Sequence, residues 1–263
     1  CEATRSQSLE SLSRIPEISR RRLETLPTAA VVLERLILAS GVKRLSVSAA
    51  GLREGVLYDN LSPDKRALDP LAEGAREFGR RLSPNLAFAK AAARFTAPLF
   101  SDETPEEARL REAACSMVDI GAFLHPDHRD FPSYTNILHA PLTGIDHPGR
   151  VFVALAIFHR YAGRREPPKP AASERILTTD ERRRAMLLGL TLRLAGSVAP
   201  KSGKSLDGCR LERTSDELIF SLEPEVRPLF GEVEERRLST LAGELGLNPV
   251  VRTIDETAAR RTG

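Results

Sequence analysis

The sequence predicts a mainly α fold, with a short α/β segment before it and a small α+β module after it. Three observations predict this. Apolar residues recur at helical spacing almost throughout residues 69–197. Residues 16–58 read instead as a helix, a short strand, a glycine turn and the start of another helix. Beyond Lys201, two short alternating segments flank a turn, and a helix and a third such segment follow.

Each element has a local cause. Pro27-Thr28 opens an apolar run from Ala29 to Leu38, and Gly41 follows as its stop. Lys43 to Ser48 alternates with Leu45 and Val47 on one side, which predicts a strand. Gly51 then turns the chain into a helix that carries Arg53 and Glu54 at its start, where the helix dipole favours a carboxylate. Such a fragment has no sheet of its own and is expected to belong to a larger one. Downstream, Leu110, Ala114, Met117 and Ile120 share one helical face, and Phe152, Leu155, Ala156 and His159 share another. Thr178 and Glu181 have capping-box spacing ahead of Met186 to Leu194. That helix is apolar nearly all round and is expected at the centre of a bundle. Arg164 to Ser173, with Pro167, Pro168 and Pro170, is a loop. Gly208–Arg213 and Glu217–Leu222 form a hairpin around Thr214-Ser215-Asp216, Pro228–Gly246 a helix, and Pro249–Ile254 a third strand. The tail after Asp255 frays.

Composition narrows the class. The 263 residues are 41% hydrophobic and 29% charged, the profile of a globular protein with material for a core. No run approaches the ~18 apolar residues of a membrane helix, and residues 1–25 lack the apolar region of a secretory signal. The first residue is Cys1, so this end reads as a cut or processed terminus. Cys1, Cys115 and Cys209 are too few and scattered for a disulfide framework or a metal knuckle, and they fit a reducing cytoplasm. Cys115 reads as a buried free thiol. Net charge is only +3, yet arginines cluster at 20–22, 80–81, 164–165, 182–184 and 236–237. Two readings stay open for these clusters: solvated helix faces, or a basic groove in which guanidinium forks meet phosphate oxygens. Lys201-Ser202-Gly203-Lys204-Ser205 ends like a phosphate-binding nucleotide loop. Its first glycine position is Val198, however, and a helix precedes it where a strand is needed.

Several motifs carry a family resemblance. Ser46-Val47-Ser48-Ala49-Ala50-Gly51-Leu52-Arg53-Glu54-Gly55 resembles a signature of the Ppx/GppA phosphatases, near the end of their second actin-like domain. Leu110 to Gly121 resembles the helix that carries a His-Asp doublet in many relatives. His125-Pro126-Asp127-His128-Arg129, then Ser133-Tyr134 and Asn136, resemble the family's histidine-rich stretch. Gly144 to Tyr161, with His147, Arg150 and His159, resembles the helix after it. Ile145 to Arg150 is closest in wording to the alphaproteobacterial branch. Only Gly-Leu-Arg-Glu-Gly is specific by itself.

The resemblance implies an exopolyphosphatase, a phosphoric anhydride hydrolase that releases terminal phosphate from inorganic polyphosphate. The same family includes guanosine pentaphosphate phosphohydrolases. It implies three domains: residues 1–62 as the remnant of an actin-like α/β domain, 63–200 as an HD-like helical domain, and 201–263 as a small α+β module. In the family the phosphate loops, the Mg²⁺-binding carboxylates and the catalytic glutamate lie upstream of Gly-Leu-Arg-Glu-Gly. This chain is therefore expected to hold no catalytic residue and no metal, and to be inactive alone. Arg53, His125, His128, Arg129 and Arg150 are its expected substrate-binding residues, with Lys201 and Lys204 weaker candidates. The doublet here reads Val118-Asp119, which removes an imidazole ligand and argues against a working HD metal centre. His125 and His128, at i and i+3, could form a metal site, or could bond backbone or touch polyphosphate. A cytoplasmic homodimer that binds polyphosphate or pppGpp, with no nucleic acid or membrane partner, completes the expectation. A non-catalytic polyphosphate-binding or dimerisation module is the alternative.

Overall fold

The computed structural model describes residues 7–14, 20–45, 47, 50–82, 85–167, 175–199 and 203–254, which fall into two units, Cys1–Arg66 and Ala67–Gly263. In the first unit, α1 (Leu9–Ser13) is capped by Ser8, whose hydroxyl accepts from Ser11 N at 3.2 Å. After a 3₁₀ turn at Arg20–Arg22 comes α2 (Leu26–Ser40), with Pro27 in its first turn and Gly41 left-handed at its end (φ 62°). Both ends follow the punctuation in the sequence. Then come α3 (Leu52–Asp59) and α4 (Pro63–Arg66). Glu54 closes the start of α3 by accepting from Gly51 N at 2.7 Å, and hydrogen bonds from its own backbone N–H and then from that of Gly51 hold its carboxyl below the usual range.

The strand expected over Lys43–Ser48 is not seen among its described residues, 43–45 and 47; Ser46 and Ser48 lie outside them. An alternating segment needs a neighbour for its backbone N–H and C=O groups. Among the described residues of this unit no strand is available to pair with it. Val32, Leu33, Leu36 and Leu38 on α2, and Leu45 and Val47 beyond it, are exposed.

The second unit is mainly helical, as expected. Its helices are α5 (Pro70–Leu82), α6 (Leu86–Thr96), α7 (Pro105–Ser116), α8 (Asp130–His139), α9 (His147–Ala162) and α10 (Thr179–Val198). The centre is the α9–α10 pair. Val151 through His159 of α9 are buried without interruption, and α10 buries Leu187, Leu188, Leu190, Leu192 and Leu194. Fully burying one such leucine contributes about 1.5–3 kcal/mol. Thr178 and Glu181 form the expected capping box: Glu181 N donates to Thr178 Oγ1 at 3.2 Å, and Thr178 N to Glu181 Oε2 at 2.7 Å. Cys115 and Cys209 are buried free thiols, pushed up by burial to about 11 and about 12. Cys1 lies outside the described residues.

One helix ends sooner than the pattern implied. The Leu110–Gly121 face is helical only to Ser116, and residues 117–123 form successive turns. The cause is the hydroxyl of Tyr161, brought in by α9. It accepts from Gly121 N at 3.2 Å and donates to Val118 O at 3.3 Å, replacing the partners that a continuing helix would give these groups. Asp119 therefore sits on a turn beside α9.

After α10 come α11 (Gly203–Asp207), β1 (Cys209–Arg213), β2 (Glu217–Leu222), a 3₁₀ turn at Arg227–Leu229, α12 (Glu232–Leu245) and β3 (Asn248–Thr253). β1 and β2 pair antiparallel, from Cys209 opposite Leu222 to Arg213 opposite Leu218. β3 joins β2 in parallel, with Glu217 opposite Asn248, so α12 serves as the crossover that a parallel pair requires. The helix expected over Pro228–Gly246 is thus split, because Gly231 restarts it as the cap of α12. Phe220 of β2 meets Phe95 of α6 edge-on at 5.9 Å, and sheet and bundle share one core.

An acid-sensitive tie holds the start of α5. Asp69 caps it by accepting from Leu71 N at 2.8 Å, and receives a fork from Arg109 of α7. The Arg109 hydrogen bond is the first cause that lowers the Asp69 carboxyl, to about 2. A depressed carboxyl stabilises the fold above its unfolded value of ~3.9 and loses that contribution as pH falls through the folded one. Acid unfolding of the wild type should therefore carry a component between about pH 4 and about pH 2. Asp69→Asn should remove it, as followed by circular dichroism. An unchanged acid profile in the variant would contradict the assignment.

Candidate functional site

Side chains from α9, α10, α12 and the turn run at 117–123 assemble two adjoining basic sites. At the first, Arg160 near the end of α9 reaches Asp119, with Nη2 donating to Oδ1 at 3.2 Å, and its guanidinium lies 5.1 Å from the centroid of the Tyr161 ring. Both partners are largely covered, at 13% and 10% side-chain exposure. With Ala122, Arg129, Tyr161 and Gly196 they line a cavity of about 160 Å³.

The second is a cavity of about 280 Å³ lined by Gly163, Arg164, Arg193, Arg236, Arg237 and Thr240. Arg193 on α10 donates to the carbonyls of Arg160 (3.3 Å) and Tyr161, and Arg237 on α12 donates to Arg193 O at 3.1 Å. Arg164 pairs with Glu244 at 2.6 Å, and Arg165 with Asp130. Among the described residues, Arg193, Arg236 and Arg237 have no carboxylate within ion-pair distance. Glu234, the acid that acts on Arg237, turns its Oε2 to Gly231 N at 3.0 Å. Burial first, and then repulsion from Arg237, Arg160, Arg165 and Arg236, lower the Arg193 guanidinium to about 10. Like charges this close raise one another's free energy. An anion with several oxygens would relieve that repulsion at more than one guanidinium at once.

The expected site residues are scattered by comparison. Arg53 lies on α3 in the first unit, exposed. His125 caps the 3₁₀ turn Pro126–His128 and His128 ends it, both exposed, with ring centroids 5.8 Å apart, and His125 Nδ1 accepts from Asp127 N at 3.4 Å. Arg129 braces the turn run, donating to Leu124 O at 2.9 Å and Ala122 O at 3.2 Å, while lining the smaller cavity. Arg150 closes the end of α8: Nη1 donates to Ala140 O (2.6 Å) and Ile137 O (3.2 Å), and Nη2 to Leu142 O (2.7 Å). Lys204 is exposed on α11, and Lys201 lies outside the described residues. Reading the sequence by motif missed Arg160 and Arg193, while Arg237 belongs to the 236–237 cluster for which the sequence leaves a basic groove open. The available signal was the set of arginine doublets at 164–165 and 236–237, distant in sequence but both placed beside α10.

Residues 80–248 match the protein family described as exopolyphosphatase, C-terminal. The chain belongs to that family. Retrograde regulation protein 2 of Saccharomyces cerevisiae (strain ATCC 204508 / S288c) is 27% identical over 160 residues, covering 57% of this chain. The match spans 26% of that relative's length.

A divalent metal at the HD-type position of this exopolyphosphatase C-terminal region does not fit the side chains present. Position 118 is a buried valine, and the carboxylate of Asp119 is engaged by the Arg160 guanidinium, which repels a cation. Among the described residues no group of three or more His, Cys, Asp or Glu could hold a metal ion. No helix among them is long and apolar enough to cross a membrane.

Proposed function

We propose that this chain is the polyphosphate-holding part of an exopolyphosphatase. Hydrolysis of the terminal phosphoanhydride, with its Mg²⁺ and its carboxylate base, belongs on this reading to the remainder of the parent protein. The single observation that carries it is the convergence of Arg193, Arg236 and Arg237, with no carboxylate within ion-pair distance among the described residues, on one cavity of an exopolyphosphatase C-terminal region. Membership in the family supports polyphosphate as the substrate class. The unneutralised guanidinium groups supply a physical reason for a chain of phosphates to lie there, since each charge-assisted bond contributes about 1.5–3 kcal/mol. His125, His128 and Arg129 form a further candidate contact on the second unit. Several weak grips on one polyanion add through effective concentration, which favours retention of the chain between cleavages. A cytoplasmic homodimer is part of the same proposal.

The test is calorimetric titration of the 263-residue chain with long-chain polyphosphate at 50 and 200 mM salt. Binding should weaken steeply between the two, because the interaction replaces counterions. Arg237→Gln should weaken it by about tenfold, the equivalent of 1.4 kcal/mol, with no release of orthophosphate by either protein. A chain that ignores polyphosphate at 50 mM salt, or an Arg237→Gln variant that binds as wild type, would sink the reading. Orthophosphate release by the isolated chain would misplace the chemistry. Displacement of polyphosphate by guanosine pentaphosphate at equal concentration would shift the substrate to the family's other activity.

A further inference from the structure

We infer that the smaller cavity, beside Asp119, is a separate binding site for a single tetrahedral oxyanion of the orthophosphate class. The inference stands on that cavity alone and does not rest on polyphosphate binding at the larger one.

The cavity holds two guanidinium groups, from Arg129 and Arg160, against one carboxylate, Asp119. Asp119 already receives Arg160 Nη2 at 3.2 Å, so a positive charge remains on the lining. Arg160 Nε is buried and has no hydrogen-bond partner among the described residues. A buried N–H without a partner is unfavourable, and it persists where something outside the protein chain completes it. A water can do so, but the cavity's ~160 Å³ exceeds the ~30 Å³ of one water several-fold. The cavity accommodates a small polyatomic ligand, and cationic donors select an anion. Guanidinium edges match two oxygens of a tetrahedral anion at once.

The lining is also built to hold the guanidinium in place. A Cβ at position 196 would stand 2.2 Å from Arg160 Nη2 and 2.6 Å from its Cζ, so the helix α10 can carry only glycine there while Arg160 keeps this position. Tyr161 stacks against the same guanidinium and fixes the turn that carries Asp119. Arg193 and Arg237 lie close enough to Arg160 to repel it, and the oxyanion offsets that charge from the inner side. The arrangement uses the carboxylate to aim the arginine and leaves its remaining donors for the ligand.

The experiment uses the whole chain with inorganic phosphate as the probe, followed by ³¹P NMR line broadening and by thermal unfolding, with sodium chloride at matched ionic strength as control. Phosphate at about a hundred times its Kd should raise Tm by about 5 °C or more over the chloride control. Arg160→Lys, which keeps the charge but loses Nε, should weaken phosphate by about tenfold. Gly196→Ala, which displaces the guanidinium, should do the same. Arg236→Gln separates the two cavities: it should weaken long-chain polyphosphate while phosphate affinity stays within about twofold. If the chain binds orthophosphate but not polyphosphate, the inference here stands and the proposed function fails. Phosphate that acts no differently from chloride on the wild-type chain overturns the inference without reference to any variant. So does an Arg160→Lys protein that folds and still binds phosphate as wild type.

Discussion

Replacing Arg111 with methionine should lower the stability of the second unit by about 3–5 kcal/mol. Arg111 is 5% exposed on α7 and binds on two sides. Its Nε and Nη2 fork onto the Glu103 carboxylate at 2.8–3.1 Å. Its Nη1 donates to Ala93 O at 2.9 Å and Thr96 Oγ1 at 3.2 Å, at the end of α6. Methionine fills much of the volume but leaves Glu103, 13% exposed, as a covered carboxylate without a partner. The loss is therefore dominated by an orphaned charge, and the side-chain volume matters little. Replacing Glu103 by methionine as well should recover most of the deficit, since two apolar groups in place of a covered ion pair are often neutral. Urea unfolding of the two single variants and the double variant measures this. A loss below 1 kcal/mol for Arg111→Met, or a double variant no better than the single, would contradict it.

Gly189→Ala tests the opposite force, crowding. By helix propensity alone alanine should improve α10 by about 1 kcal/mol. At this position, however, a Cβ would lie 2.5 Å from both Ala156 O and the Cβ of His159, where α9 and α10 come together. The obstacle is mostly backbone, which cannot swing aside. The close approach also keeps His159 in place: it is 5% exposed, and its Nδ1 lies 2.7 Å from Gly163 O, the carbonyl just past the end of α9. Burial holds its imidazole below the usual range, so the neutral ring donates there. Gly189→Ala should destabilise by about 1–3 kcal/mol, a fall in Tm of several degrees for a unit of this size. Gly189→Val should exceed it. A variant that melts higher than wild type would show that the helices can separate freely.

Much of the bundle was legible in the sequence because burial leaves a periodic trace. The apolar girth of Met186–Leu194 put α10 at the centre, and Thr178 with Glu181 marked where it begins. The alternating segments after Gly208 gave β1 and β2 directly, and the third strand to within a residue. What escaped depends on partners from elsewhere in the chain. Nothing near Gly121 announces that Tyr161 will intercept its N–H and end α7 early. Nothing in Lys43–Ser48 tells whether a neighbouring strand is present. The site divides the same way. Arg150 and Arg129 sit in recognisable motifs, yet their N–H groups go to backbone carbonyls at the ends of local structure, a use that no spacing reveals. Arg160, Arg193 and Arg237 occur singly or in ordinary-looking pairs. They become a site only because α9, α10 and α12 converge.

The position of β3 at the margin of its sheet carries a consequence for how molecules of this protein tolerate crowding. A marginal strand offers a ladder of unpaired amides on which another polypeptide can template itself. Pro249, opposite Leu218, breaks that ladder by lacking an N–H, and Arg252, opposite Ser221 and paired with Glu217 at 3.4 Å, keeps a charged pair at that margin. The same six residues that complete the sheet thereby discourage its indefinite extension.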